Sequence, residues 1–471
     1  MTDAAVIAQS QAAQSTPGLL DRALRRITSV WRDMASSVAR DEGDDIEAQM
    51  RACLEGRGGE VSARNRAAKL AETYLSLDAD GQRQFLRTLA GFDADEAAIT
   101  KAVARISEAR EPADKAAAKS ALRRVLEPPR QRLVTQFTTI PDGMKFLVEL
   151  RNTLLGHTRT DPLLAAFEAD LRGLLANWFD VGFLELRRID WNSPAALLEK
   201  LVGYEAVHEI TSWRDLKNRL DSDRRCYAFF HPRMPDEPLI FVEVALVRGL
   251  ANSVQGLLDE DAPVQNPGEA DAAIFYSISN CQRGLAGISF GNFLIKRVVS
   301  ELSAEFPNLK TFATLSPIPG FCRWLDKKIG EEGATLLTEE EAPALLALMP
   351  AEDAAMALHA LLARPSWVED AAQRRVVEPV LTRLCARYLL AEGQGKRAAD
   401  PVAHFHLSNG ARVERINVGA DVSPKGMKES ASMMVNYLYA PDRIEANHEE
   451  YAGEGKRQAS TVVRKLARGW V

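Results

Sequence analysis

The chain has 471 residues, 59 Lys and Arg against 65 Asp and Glu, a formal net charge of −6 and 46% hydrophobic residues. At about 150 residues per domain, this length suggests two or three globular domains with no difficulty in burying a core. A mildly acidic, sign-mixed composition lacks the field that gathers phosphate backbones and argues against nucleic acid as the primary partner.

Five cysteines (Cys53, Cys226, Cys281, Cys322, Cys385) are scattered without a C-x-x-C pair. They argue against a disulfide framework or a structural zinc site and for a reducing compartment. The opening MTDAAVIAQSQAAQSTPG has no basic segment leading into an apolar one, so it does not read as a secretory signal. The most apolar segment, 342–363, is cut by Glu352 and Asp353, as a membrane span rarely is. A soluble, cytoplasmic protein is the expectation.

In chain order, the first third is rich in Ala, Leu, Arg and Glu, with apolar residues at three- and four-residue spacing. Helices are expected over 19–38, from Asp44-Asp45 onward, and over 61–77, 80–89, 94–109 and 113–126, joined by turns such as 56–59 and Pro128-Pro129. Its Arg and Glu runs read as solvated helix faces. After about Trp178 the pattern changes: 183–189, 225–230, 239–247 and 273–279 read as strands, with helices over 193–204, 212–220 and 292–305 between and after them. Residues 336–392 return to a helical pattern, which suggests an insertion, before strand-like segments at 404–407 and 412–417. Strands mixed with helices behind an all-helical region give an α+β chain.

Three segments carry unusual chemistry. Residues 275–296 form a strand, a loop with Gly284, Gly287 and Gly291, and an amphipathic helix. Such glycines let main-chain amides approach a ligand, and the helix N-terminus adds partial positive charge suited to a pyrophosphate. Neither G-x-G-x-x-G nor a P-loop fits. The spacing is closer to the looser Q/R-x-x-G-x-G/A loop with which the GNAT acyltransferases hold coenzyme A. Ser289-Phe290-Gly291 stands where that loop has G-x-G, and Ala286 where it has Gln or Arg, with Gln282 and Arg283 close by. A glycine-rich turn without a ligand is the plain alternative.

The second segment is 311–321, where a strand ends at Ser316 and Pro317 and Pro319 remove amide donors, so further pairing is not expected. By itself a Ser-Pro after a strand is a turn. The third holds His404 and His406, which in a strand would share one face. No third ligand of suitable spacing accompanies them, so a metal pair is not favoured, whereas a histidine paired with a serine from another strand is a catalytic candidate. His231-Pro232-Arg233-Met234-Pro235-Asp236-Glu237-Pro238 reads as a stiff connector into the next strand.

Together, and in this order, five segments resemble malonyl-CoA decarboxylase: HPRMPDEPL from His231, FYSISNCQRGLAGISFGNFLIKRVVSEL from Phe275, LSPIPGF from Leu315, FHLSNGA from Phe405 and MVNYLY from Met434. The similarity spans most of 180–440, and five ordered motifs are far more specific than any one. It implies an all-helical N-terminal domain, 1–176, that supports a homo-oligomer (dimer or tetramer). A GNAT-like mixed α/β catalytic domain with a helical insertion, 177–471, then binds acyl-CoA without metal or organic cofactor; the coenzyme A thioester is the substrate, and neither nucleic acid nor membrane is a partner.

Carried over by position, the resemblance makes Ser316 and His406 the catalytic pair and Tyr439 a residue that positions them or the substrate. It assigns the coenzyme A loop to Gln282, Arg283, Gly284, Gly287, Ile288, Ser289, Phe290, Gly291 and Asn292, with Asn409 and Asp442 nearby. Animal members carry a glutamate where this chain has Ser289. Some end in a peroxisomal Ser-Lys-Leu, whereas this chain closes on Arg468-Gly469-Trp470-Val471. The implied reaction loses carbon dioxide from a malonyl thioester and leaves an enolate. Amides of the 287–292 loop, or near it, are expected to stabilise its oxygen, Ser316 to hold the carboxylate and His406, alone or through water, to return a proton. The same pair could instead take the malonyl group covalently. The competing functions are an acyl-CoA-dependent acyltransferase and a non-catalytic acyl-CoA-binding protein.

Overall fold

The computed structural model describes residues 30–34, 45–55, 59–288 and 291–470. Up to Trp178 the described chain carries no strand, and eight helices follow one another from Ile46–Glu55 to Pro162–Trp178. Their starts follow from capping chemistry. Asp78 and Asp95 accept main-chain N–H groups at Gly81 and Ala97, and Pro112 and Pro129 occupy first turns, where a missing N–H is harmless. The helices expected over 61–77, 80–89, 94–109 and 113–126 are Gly59–Ser76, Ala79–Ala90, Glu96–Glu108 and Pro112–Leu126. Most of the stretch expected over 19–38 lies outside the described residues, as does the 56–58 part of a turn. The Gly143–Leu155 helix is buried on nearly every side and is the central post of this bundle.

Ten strands follow: β1 (Glu185–Ile189), β2 (Arg224–His231), β3 (Met234–Val247), β4 (Ala272–Asn280), β5 (Thr311–Thr314), β6 (Ser316–Pro317), β7 (Gly393–Gln394), β8 (Arg397–Ala398), β9 (Arg412–Asn417) and β10 (Met434–Leu438). Eight of them form one mixed sheet in the order β1-β2-β3-β4-β5-β10-β6, with β9 on the other edge of β10, while β7 and β8 make a separate pair. Among the described strand pairs only β4 and β5 run parallel, connected through the Gly291–Glu305 helix. Three helices of the expected insertion are present, Glu341–Leu348, Ala354–Leu362 and Ala371–Leu390. No helix among the described residues is long and apolar enough to cross a membrane.

The sheet divides in the middle. β4 and β5 pair from Ala272↔Thr311 to Phe275↔Thr314, and Leu315 N–H still reaches the Phe275 carbonyl at 3.0 Å. Beyond that point β4 continues to Asn280 with β3, while the other chain stays with β10. Tyr276 is an extra residue opposite the Glu243/Val244 step of β3, a bulge that adds twist at the fork. Alternation then sets the faces. Phe275, Tyr437 and Tyr439 enter the main core shared with the helices, and Ile274, Tyr276, Leu315 and Met434 enter a smaller cluster behind the sheet.

Three local expectations are corrected. His231 to Pro238 is a hairpin rather than a connector: β2 ends at His231, β3 begins at Met234, and Pro238 sits in the ladder opposite Phe230, where the register shifts and a missing donor is tolerated. Ser316 and Pro317 do continue the ladder, opposite Val435 and Met434, because β10 flanks both halves of the interrupted strand. Residues 404–407 belong to a helix, Pro401–Ser408, not a strand. Asp400 caps it by accepting the Val402 and Ala403 N–H groups, and Pro401 opens it, a start signal that outweighs the short apolar alternation.

Candidate active site

Ser316 sits where the split strand resumes, two residues after Thr314, so both hydroxyls project from the same face. The Pro401–Ser408 helix brings His406 over that face from its last turn. Ser316 Oγ lies 3.0 Å from His406 Nε2 and donates to Thr314 Oγ1 at 2.8 Å. On the far side of the ring, Nδ1 lies 2.8 Å from the Tyr439 hydroxyl. Tyr437, two residues earlier on the same face, stacks on the imidazole at 4.5 Å and 23°. Tyr439 also meets Phe275, the last residue of β4 paired with β5, edge to face at 6.5 Å. The chain of groups thus stands at the fork of the sheet.

The surroundings are dry. Ser316, His406 and Tyr439 are 6%, 2% and 1% exposed. Burial alone pushes the imidazole down to about 3, so His406 is neutral in the physiological range. Burial also raises the Tyr439 phenol well above its ordinary range. Behind the helix, burial pushes Asp400 up to about 6 against the opposing pull of the Ala403, Gly320 and Val402 N–H groups. Through Gly320 this carboxyl ties the turn after Ser316 to the helix that carries His406.

Main-chain donors face the fork as well. Cys281 N–H bonds the Leu239 carbonyl at 2.9 Å, so in the antiparallel β3–β4 ladder Ser279 and Ser277 also turn their main-chain groups toward β3. The groups of Ile278 and Asn280 therefore point the other way, along an edge that β5 has left.

The loop that follows is fastened to the helical bundle. Arg151, on the Gly143–Leu155 helix, donates to the Gly284 carbonyl at 2.6 Å and the Ala286 carbonyl at 2.8 Å. Gly284 packs so closely on that helix that a Cβ would lie 1.8 Å from the Val148 carbonyl oxygen. Gly287 takes φ +76°, a left-handed turn that glycine accepts without strain. Gln282 is buried and donates to the Pro238 carbonyl at 3.0 Å, Arg283 is exposed, and Ile288 is half-buried against the main core. Ser289 and Phe290 lie outside the described residues; Gly291 and Asn292 open the Gly291–Glu305 helix.

The remaining expected residues divide. Asn409, buried at the end of the His406 helix, donates to the Phe405 carbonyl at 2.8 Å. Asp442 is exposed on the turn after Tyr439 and makes no hydrogen bond to the Ser316–His406–Tyr439 chain. His404 and His406 do not share a face: His404 Nδ1 lies 2.8 Å from the Tyr451 hydroxyl. Among the described residues no three His, Cys, Asp or Glu side chains converge as a metal set would.

Thr314, Asp400, Tyr437 and Arg151 also build this place, and sequence reasoning did not find them. The Asp400-Pro401 pair is a helix-start signal that would have exposed both the cap and the helix. The period of two back from Ser316 would have pointed to Thr314. Nothing in the sequence announces Arg151, whose partners in the loop, Gly284 and Ala286, lie more than 130 positions away.

Comparison with known proteins agrees with the resemblance. A family model described as the malonyl-CoA decarboxylase C-terminal domain matches residues 182–470, and one described as the N-terminal domain matches 92–179. The chain is 37% identical over 423 residues to the mitochondrial malonyl-CoA decarboxylase of Mus musculus, covering 86% of this chain and 85% of that one. It is 37% identical over 420 residues to that of Anser anser anser, with 85% and 83% covered. Crystal structures of malonyl-CoA decarboxylases from Rhodopseudomonas palustris and Agrobacterium vitis superpose with TM-scores of 0.80 and 0.81, each at 43% identity and covering 90% of this chain and 99% of theirs. The curated relatives are named mitochondrial, which overturns the cytoplasmic placement expected from the sequence. Scattered thiols separate reducing compartments from the secretory route but do not choose among them.

Proposed function

The chain belongs to the malonyl-CoA decarboxylase family, a carboxy-lyase acting on malonyl-CoA, and we propose that Ser316, His406 and Tyr439 carry its reaction at the fork of β4 and β5. The observation that carries this reading is the unbroken hydrogen-bonded chain from the Tyr439 hydroxyl through the imidazole to Ser316. Coenzyme A lies along the 282–292 loop and its thioester enters the fork. The C2–carboxylate bond breaks, its electron pair moves into the thioester as an enolate, and carbon dioxide leaves. The Ile278 and Asn280 N–H groups face the developing oxyanion, and a donor of this kind is commonly worth about 3 to 4 kcal/mol.

C2 then needs one proton. Ser316 supplies it, His406 Nε2–H replaces it on the serine, and the Tyr439 proton compensates at Nδ1. Solvent reprotonates the phenolate as products leave, so the cycle consumes one proton. A neutral imidazole suffices, because the α-carbon of a thioester is a far weaker acid than an imidazole N–H. No metal or organic cofactor enters this scheme, and the buried site keeps bulk water from the carbanion.

A covalent malonyl-enzyme is disfavoured by the same groups. It would pass through a buried imidazolium, before the thiolate of coenzyme A takes its proton, with a phenol rather than a carboxylate beside it, a charge without a counter-charge. Self-association through the helical part also belongs to this reading. It is supported by the paired helices Glu96–Glu108 and Pro112–Leu126, which bury only Ala102 and Ala118 and expose Val103 and Leu126.

Incubating the purified protein with malonyl-CoA and no acceptor tests the reading. Acetyl-CoA and carbon dioxide should appear in equal amounts. Turnover that begins only on adding an amine would indicate an acyltransferase, and tight binding without turnover would indicate a sensor.

A further inference from the structure

The hydroxyl of Ser316 has one proton, and it points to Thr314 Oγ1 at 2.8 Å. Toward His406 Nε2, 3.0 Å away, the serine oxygen is therefore an acceptor, and Nε2 carries the ring proton. Nδ1 is then bare and accepts from the Tyr439 hydroxyl at 2.8 Å. Thr314 is itself fixed. Its Oγ1 accepts the Tyr437 N–H at 3.1 Å, its carbonyl accepts from Asn436 Nδ2 at 2.8 Å, and it is fully buried. Tyr437 is the residue whose ring stacks on His406.

We propose that Thr314 is a positioning residue that sets the direction of the Tyr439, His406, Ser316 chain, by holding the serine proton and so selecting the Nε2–H form of the imidazole. The inference rests on the assignment of Ser316 and His406 given above. Its chemical meaning is a choice between two uses of one pair. With the proton parked on Thr314, Ser316 can turn it onto C2 and be resupplied by Nε2–H. Without the threonine hydroxyl, the serine proton has Nε2 as its remaining neighbour and the chain reverses. Ser316 then donates to Nε2 and Nδ1–H donates to Tyr439, the arrangement of a nucleophile and its base.

The two directions differ in tautomer, and ¹⁵N NMR of histidine-labelled protein reads it, with His406 assigned by its loss in His406→Asn. Wild type should show Nε2–H. Thr314→Val, close in shape but without the hydroxyl, should move His406 toward Nδ1–H and lower kcat ~10- to 100-fold, with KM within about twofold. Thr314→Ser should restore both. An Nδ1–H imidazole in the wild type, or an unmoved tautomer and kcat in Thr314→Val, overturns the proposal. If the valine variant does not fold, the wild-type and Thr314→Ser spectra still decide, since both must be Nε2–H. Full activity in Ser316→Ala and His406→Asn would sink the site assignment itself. Inactive variants there, with an unmoved tautomer in Thr314→Val, would sink the role of Thr314 alone.

Discussion

His406 Nδ1 lies 2.8 Å from the Tyr439 hydroxyl, in the place a carboxylate takes in a hydrolase triad. A phenol orients an imidazole as well as a carboxylate does, but it offers no charge to a buried imidazolium. The proposed relay therefore starts from neutral groups and leaves its charge on the phenol oxygen until solvent returns a proton. Quenching the wild-type protein during turnover of malonyl-CoA should give an intact mass without an acyl adduct. A malonyl group on Ser316 would contradict the direct route.

The two tyrosines on the histidine should behave differently. Tyr439→Phe removes the partner of Nδ1, and kcat should fall ~10- to 100-fold with the fold kept. Among the described residues the buried Tyr437 hydroxyl has no hydrogen-bond partner, so its removal costs nothing and the ring stack stays. Tyr437→Phe should keep its activity and hold or gain about 1 kcal/mol of stability in denaturant unfolding. Equal losses of activity in the two variants would show that ring packing, not the Tyr439 hydrogen bond, matters.

Acid stability carries the mark of His406. Its folded value, about 3, lies below the ordinary 6.5, so its contribution is full above 6.5 and is lost as pH falls toward 3. Asp400 has the opposite sign: raised to about 6 from 3.8, it contributes fully below 3.8 and its contribution is lost as pH rises through 6. Thermal unfolding of His406→Asn should fall less steeply than wild type between pH 6.5 and 4. A parallel slope would mean that the imidazole titrates normally in the folded protein.

The coenzyme A loop hangs on the helical bundle, and two substitutions separate its parts. Arg151→Lys keeps a charge but cannot reach both the Gly284 and Ala286 carbonyls, so KM for malonyl-CoA should rise several-fold with kcat little changed. Gly284→Ala drives a Cβ into the Val148 carbonyl and should cost about 1 to 3 kcal/mol of stability. A change in kcat alone for Arg151→Lys would separate this anchor from substrate binding.

Much of this was legible where side-chain periodicity and capping agree. β1, β2, β4 and the helices Gly59–Ser76, Ala79–Ala90, Glu96–Glu108 and Pro112–Leu126 fall within two residues of their expected places, since alternation and Pro or Asp starts act locally, whereas β3 begins five residues early and Pro129–Phe137, Gly143–Leu155 and Pro162–Trp178 carried no expectation. Residues 404–407 misled because four apolar and aromatic positions alternate equally well in a strand, while the deciding Asp400-Pro401 signal lies just upstream. The extension of the ladder at Ser316 was invisible for another reason. Pro317 cannot donate, but β10 needs only its carbonyl side and the serine, and that partner lies more than a hundred residues away. The fork depends on where β5 leaves β4, a tertiary event with no local signature. Motif resemblance supplied Ser316, His406 and Tyr439, whereas Thr314 and Asp400, each with a local signal that the motifs do not include, were found from distances.

The central claim is tested most directly by the turnover of malonyl-CoA in Ser316→Ala and His406→Asn, each compared with wild type at matched thermal stability. Acetyl-CoA formation should drop by ~10²- to 10⁴-fold in both, with binding of the thioester retained. Either variant working at the wild-type rate would mean that the decarboxylation takes place without the hydroxyl and imidazole that meet at this fork.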